Sequence, residues 1–234
     1  MLRVAIVVDG AFFLKSFKNR YTDFDSKNPA TVAKVLHKLA LKHLNTNDYL
    51  YRIFFYDCSP ILKRVQLPRS KKGLSLEKTP EAQFRLTLHE HLKAKRKVAI
   101  RYGELYDGSE DTWKLKEGRT KLLLQGKRSF EELTDEDFQY NAIQKGVDLK
   151  LGLDIASLAY KKQVDKIVLI AGDSDFVPAI KLARREGIDV VLDSMGQKIR
   201  DDLSEHVDGI RSVTVNLEDF QTVSDAITNE THSP

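Results

Sequence analysis

Two short runs limit the fold of this chain more than anything else in it. "RVAIVVD", Arg3 to Asp9, and "KIVLIAGDSDF", Lys166 to Phe176, are continuously apolar and then turn acidic. A strand that is wet on one face alternates apolar and polar residues. An unbroken run of Val, Ile and Leu at strand length needs apolar cover on both faces. Such strands lie at the centre of parallel sheets, between two layers of helices.

The rest of the chain agrees. "TVAKVLHKLALKHL" (Thr31–Leu44) places Val32, Val35, Leu36, Leu39 and Leu44 near helical spacing. "YLYRIFFYDC" is aromatic and β-branched and reads as a second strand. "PEAQFRLTLHEHLKAK" predicts a helix with Pro80 in its first turn, and "KVAIRYGEL" a third strand. Later come a helix in "VDLKLGLDIASLAYKK", the strand "KIVLIAG", a helix in "DFVPAIKLARREG" closed by Gly187, the strand "IDVVLDS", a helix in "QKIRDDLSEH" and a last strand in "GIRSVTVN". Alternating strands and helices predict an α/β fold, a three-layer sandwich with a mostly parallel central sheet. The reading is a single domain over residues 1–220, an irregular insert at about 106–140, and a polar tail at 221–234. Within the insert, "DTWKLKEGRTKLLLQG" predicts a hairpin turning at Glu117-Gly118, and "TDEDFQYNAI" a short capped turn.

Composition excludes some classes. No apolar run reaches the roughly 18 residues that a membrane helix needs, so no membrane is expected. The N-terminal run ends at Asp9 and reads as a strand rather than a signal peptide. Cys58 is the one cysteine, which rules out an intrachain disulfide and a cysteine-built zinc site and suits a reducing, cytoplasmic setting. Net charge is +4. The Lys and Arg residues gather in "ILKRVQLPRSKKGLSLEK" (Ile61–Lys78) and "HLKAKRKVAIR" (His91–Arg101). A basic middle can meet phosphates, although a solvated surface explains it equally well.

In open parallel sheets, functional groups gather at the carboxyl ends of strands. Asp9 ends the first strand, Asp57 the second and Asp193 the fifth, and Asp173 and Asp175 follow "IVLIA". Asp148 lies at the start of a helix that runs antiparallel to the strand it feeds, which brings it back to the same edge. Asp154 is roughly 9 Å further down that helix and turned off the Asp148 face. Several carboxylates on one edge suit Mg²⁺ or Mn²⁺, which prefer oxygen ligands. Such an ion activates water and offsets charge on a phosphate. There is no GxxxxGK[ST] loop, HExxH or GxSxG, and His89 and His91 are too close in a helix to share a face. A metal-dependent phosphodiester hydrolase fits this inventory better than an acyl hydrolase. Capping alone accounts equally well for Asp148 and Asp175. For Asp57, Asp154 and Asp193 a structural role is favoured. Asp9 and Asp173 are harder to dismiss, since a carboxylate directly after four apolar residues needs a partner.

"VAIVVDGAFF" and the block Gln144–Val191, "QKGVDLKLGLDIASLAYKKQVDKIVLIAGDSDFVPAIKLARREGIDVV", resemble the NYN domain family, in particular its LabA-like branch with a PIN-like nuclease fold. "RYGEL" is also similar to the family. The resemblance implies a ribonuclease-like site in which Asp9, Asp148, Asp173 and Asp175 act in catalysis and hold Mg²⁺ or Mn²⁺. Asp154, Ser174 and Asp193 would stand behind them. It also implies RNA, single-stranded or structured, as partner. Lys15, Lys18 and Lys145 would steady phosphates, and Lys63, Arg64, Arg69, Lys71 and Lys72 would guide the strand. The family's first motif usually runs DGxN. Here it is Asp9-Gly10-Ala11-Phe12, so Phe12 replaces the amide that orients the site. Phe12 and Phe13 either pack in the core or offer a stacking face.

Two alternatives remain open. One is a non-catalytic regulator that binds RNA or protein on the same fold, in keeping with the missing Asn. The other is a haloacid-dehalogenase-like phosphatase, since "GDSDFVPAIKLARREGI" is also similar to that family. Its DxD nucleophile motif is broken here by Ala11. A homo-oligomer is compatible with the chain, and no feature selects an oligomeric state.

Overall fold

A computed structural model describes residues 1–106 and 113–220, so the tail read at 221–234 lies outside the described residues. The strands are β1 (Arg3–Asp9), β2 (Tyr49–Cys58), β3 (Arg64–Gln66), β4 (Gly73–Ser75), β5 (Val98–Tyr106), β6 (Trp113–Leu115), β7 (Phe138–Tyr140), β8 (Ile143–Lys145), β9 (Lys166–Ile170), β10 (Asp189–Asp193) and β11 (Gly209–Ile210). The helices are α1 (Gly10–Arg20), α2 (Pro29–Lys42), α3 (Pro80–Lys93), α4 (Glu117–Leu124), α5 (Val147–Tyr160), α6 (Val177–Arg185) and α7 (Asp201–Ser204).

The central sheet has seven strands in the order β11-β10-β9-β1-β2-β5-β8. The pairs β1–β2, β1–β9, β9–β10 and β10–β11 are parallel, while β8 joins β5 antiparallel. Val4, Ala5, Ile6, Val7 and Val8 are all 0% exposed. Neighbouring residues of a strand face opposite sides, so five in succession at zero mean that both faces of β1 are covered. This is the three-layer α/β sandwich that the apolar runs predict.

The chain separates into two compact units. The first holds Met1–Asp57, Thr87–Arg101 and the chain from Asp148 onward, and the second holds Cys58–Leu86 and Tyr102–Val147. In the first unit, β1 and β9 pair in register from Val4↔Lys166 to Val8↔Ile170. Arg3 fastens the amino ends of this pair. Its guanidinium donates to both carboxylate oxygens of Asp165 at 3.1 and 2.8 Å, and its backbone N–H adds a third bond at 2.7 Å. These bonds hold the Asp165 carboxyl down at about 2.

Two buried carboxylates belong to this frame. Asp193 and Asp57 are both 0% exposed. Asp193 meets His43 Nε2 at 2.9 Å and accepts the Met195 N–H at 2.6 Å. Asp57 meets His89 Nε2 at 3.0 Å. A buried carboxylate without a partner is strongly unfavourable, so each imidazole is required by the acid beside it.

Some elements differ from the sequence reading. Residues Glu117–Leu124 form helix α4 and not a hairpin arm; the strands that pair are β6 and β7, and α4 lies in the connection between them. Glu-Gly lacks the Asn or Asp that favours a tight hairpin turn, and Leu122, Leu123 and Leu124 propagate a helix readily. "TDEDF" is a capped turn as expected, with Thr134 and Asp137 forming a capping box. The final helix and strand shrink to Asp201–Ser204 and Gly209–Ile210. Helix α1 and the β3–β4 hairpin were not legible. In α1 the apolar run "AFFL" hides the period that Phe13, Ser16 and Phe17 show once they are buried.

Gly10 begins α1 where the chain leaves β1. A Cβ there would lie 2.5 Å from the Tyr56 carbonyl oxygen and 2.9 Å from Phe55 Cζ. Backbone cannot yield as a flexible side-chain tip can, so Gly10→Ala is expected to destabilise the protein by about 1–3 kcal/mol. Urea unfolding should show a lower midpoint at unchanged slope.

Candidate active site

The in-register β1–β9 pair ends its two strands level with each other. Asp9 is the last residue of β1, and the turn Ala171-Gly172-Asp173 leaves β9 beside it. Asp9 Oδ1 turns back over α1 and accepts the N–H groups of Ala11 at 3.0 Å and Phe12 at 3.2 Å. It is therefore the N-cap of that helix. Its Oδ2 makes no hydrogen bond among the described residues. Asp173 acts in the same way for the short turn Ser174–Phe176, its Oδ1 accepting the Asp175 N–H at 3.1 Å. Capping thus falls to Asp9 and Asp173, whereas the sequence reading offered that role to Asp148 and Asp175.

Asp148 sits in the first turn of α5. The carboxyl groups of Asp9, Asp148, Asp173 and Asp175 feel one another. Burial pushes the Asp9 carboxyl up to about 6, against the two capping bonds, and the charges of Asp148 and Asp173 add to the rise. Partial burial and the charges of Asp173 and Asp175 likewise raise Asp148. Like charges that hold one another's pKa up are relieved by a cation or a proton placed among them.

Phe13 is fully buried, packing against Phe17 and Phe55 at ring-centroid distances of 5.8 and 6.4 Å. Phe12 is half-buried and lies over Gly172, where a Cβ would fall 2.4 Å from the ring. Phe12 therefore packs against the turn that leads to Asp173. Gly172 is required by that close approach.

The remaining acids are committed elsewhere. Asp154 Oδ2 accepts the Tyr56 hydroxyl at 2.8 Å and Arg101 Nε at 2.9 Å, and burial, followed by the Asp154 charge, raises the Tyr56 phenol. Asp193 belongs to the His43 pair. Ser174 Oγ donates to Asp202 Oδ1 at 2.7 Å, and that bond draws the Asp202 carboxyl down. Asp202 was not picked from the sequence. "DDL" at a helix start reads only as a cap, and nothing local in it points to Ser174.

Lys15 and Lys18 are exposed on α1 in the first unit. Lys63, Arg64, Lys71 and Lys72 are exposed in the second unit. Arg69, in the same stretch, spends its guanidinium on the carbonyls of Leu133 and Glu131, each at 3.2 Å. The Lys145 ammonium lies 4.1 Å from the centre of the Tyr106 ring.

Among the described residues, no three His, Cys, Asp or Glu side chains converge tightly enough to ligate one ion together. The donor set still suits a hard cation, being oxygen only, mutually repelling and open at Asp9 Oδ2. Mg²⁺ keeps several waters and takes one or two carboxylates directly, so a loosely spaced acid edge fits it.

The NYN domain model matches residues 59–214, most of the chain. The chain belongs to the NYN domain family. Asp148, Asp173 and Asp175 lie within the matched stretch, while Asp9 precedes it. The NYN domain brings a PIN-like, nuclease-type fold, an association with RNA and, typically, dependence on divalent metal. No curated protein matches the chain. Similar solved structures include a protein of unknown function from Vibrio parahaemolyticus RIMD 2210633, at 14% identity and TM-score 0.48, over 91% of this chain and 93% of that one. Sir2Tm bound to a propionylated peptide is similar at 10% identity and TM-score 0.31, over 96% and 93% of the two chains. Likeness at this level carries no functional information. No helix among the described residues is long and apolar enough to cross a membrane.

The Asp9 environment sets a pH dependence. A carboxyl raised from near 4 to about 6 keeps its proton in the folded protein after the unfolded chain has released it. Asp9 therefore costs nothing below about pH 4, and metal-free stability falls as pH rises through 6. Asp9→Asn keeps the cap and removes the charge. In EDTA it is expected to match the wild type near pH 4 and to exceed it by about 1–3 kcal/mol at pH 8. Chemical denaturation at both pH values checks this.

Proposed function

We propose that this NYN-domain protein is a divalent-metal-dependent ribonuclease of the LabA-like branch. The observation that carries the reading is the level ending of β1 and β9, which brings Asp9 and Asp173 to one edge within electrostatic reach of Asp148. Three carboxylates there, with Asp175 beside them, concentrate negative charge that only a cation offsets. Asp9, Asp148, Asp173 and Asp175 would hold Mg²⁺ or Mn²⁺, one or two of them directly and the others through the ion's waters. When bound, such an ion lowers the pKa of a water and offsets charge on the phosphodiester.

The chain's own residues supply position. Asp9 and Asp173 are fixed by the caps they make, so their free oxygens point from a rigid edge. The Ser174–Asp202 bond ties the Asp173 turn to α7. Phe12 packs its ring against the turn at Gly172.

The test is cleavage of labelled single-stranded RNA, hairpin RNA and single-stranded DNA with Mn²⁺, Mg²⁺ or EDTA. RNA is expected to be cut only with metal, and Asp173→Asn is expected to lower the rate at least about a hundredfold, as loss of a charge-stabilising group does. Intact RNA in the presence of folded protein and Mn²⁺ would overturn the reading.

One observation favours the second reading, a regulator that binds without cutting. Phe12 occupies the orienting amide's place and cannot hydrogen-bond. Phe12→Asn, which restores the family's amide, separates the two. A nuclease merely weakened by Phe12 gains rate, by about tenfold for one added hydrogen bond, whereas a regulator stays silent in the same cleavage assay.

A further inference from the structure

The second unit contains a cleft of about 580 Å³. This is the size of a small-molecule site. Its walls come from the two small antiparallel strand pairs, β3–β4 and β6–β7, and the start of α3. Trp113 faces Tyr140 across β6–β7, and Leu115 faces Phe138. Trp113, Phe138 and Tyr140 line the cleft and are each only half-buried. The Trp113 and Tyr140 rings meet edge-on, with centroids 5.4 Å apart. The Trp113 indole N–H donates to the Gln66 carbonyl at 2.9 Å, which locks the ring and joins the two strand pairs. Half-buried aromatics held in place on a concave wall are stacking surfaces.

The β3–β4 hairpin beside the cleft is basic, while Glu81 and Arg85 put one charge of each sign on the wall itself. Lys63 and Arg64 lead into β3, and Lys71 and Lys72 lie in its turn, all exposed. The Lys63 ammonium lies 5.6 Å from the centre of the Tyr140 ring. Gln139, exposed on β7, also lines the cleft, and its amide can both donate to and accept from a base edge.

We propose that this cleft takes an unpaired base of single-stranded RNA, with the flanking phosphates met by the β3–β4 hairpin. The proposal rests on RNA being the partner and adds where the strand is held. The aromatic faces fit a planar ring better than a branched aliphatic side chain. Four exposed cations on and next to the adjoining β3–β4 hairpin match a polyanion and not an apolar peptide.

Trp113 is the only tryptophan in the chain, so its emission reports on the cleft alone. The full-length protein is titrated in EDTA with a short labelled RNA strand, the same strand with abasic riboses, and an RNA duplex. Trp113 fluorescence and the anisotropy of the label are followed together. The intact strand is expected to quench Trp113 as it binds, and the abasic strand and the duplex to leave it unchanged. Tyr140→Ala should weaken binding about tenfold, the loss of one stacking face, while Tyr140→Phe, which keeps the ring, binds as wild type. Gln139→Glu changes an exposed residue without disturbing the fold and should also weaken binding. RNA that binds by anisotropy with Trp113 silent and with unaltered affinity in Tyr140→Ala overturns the assignment. So does a Trp113 response to an apolar peptide and not to RNA, or the absence of any RNA binding.

Cleavage of the same strand with Mn²⁺ keeps the two readings apart. Cutting with a silent Trp113 removes only the cleft assignment. Quenching without cutting removes the nuclease and leaves the cleft as an RNA-binding site.

Discussion

The in-register pairing of β1 with β9 is the constraint on which the rest of the first unit depends. Its two ends do different things. At the amino end, the Arg3–Asp165 fork fixes where the strands begin. At the carboxyl end, that registration decides which residues emerge together. A one-residue slip would flip every side chain of β1 to the other face and carry Asp9 away from Asp173. Zero exposure along Val4–Val8 makes such a slip prohibitive, because each of those positions would then have to be filled from the wrong side. The acid edge is thus a by-product of packing: apolar burial sets the register, and the register places the charges.

The central strands and their helices were legible because each carries its own period. "RVAIVVD" and "KIVLIA" cannot be anything but doubly covered strands, and Asp9, Asp173 and Asp148 follow from strand ends and one antiparallel helix. What was not legible depends on distant partners. The short strands of the second unit, three residues each, carry no period long enough to detect. Neither sequence neighbourhood shows that Asp193 needs His43 or that Asp57 needs His89, since each pair joins residues far apart in the chain. Asp202 is invisible for the same reason. Phe12 was visible as a departure, but only the structure says that it rests on Gly172.

The second unit follows a different physical plan. Among the described residues it has no long buried strand. Its order comes from specific tethers: Arg69 to the Leu133 and Glu131 carbonyls, Arg128 and Arg119 to Asp137, and Trp113 to Gln66. Asp137 is nearly inaccessible, 2% exposed, and the Thr134 N–H bond, followed by the Arg128 guanidinium, holds its carboxyl below the usual range. Such a unit keeps aromatic side chains half-open, because hydrogen bonds rather than a closed apolar core hold its backbone in place.

Asp9 has a structural duty beside the role proposed for it, and the Asp148 side chain shows none among the described residues. Asp9 ends a buried strand and caps α1, so a lineage that abandoned catalysis would still be selected to keep an oxygen at that position. Asp148 makes no hydrogen bond among the described residues and stabilises nothing that another polar residue could not. Its persistence or loss in descendants of this chain is therefore a cleaner historical record of chemistry than that of the more conspicuous acid, which architecture alone would preserve.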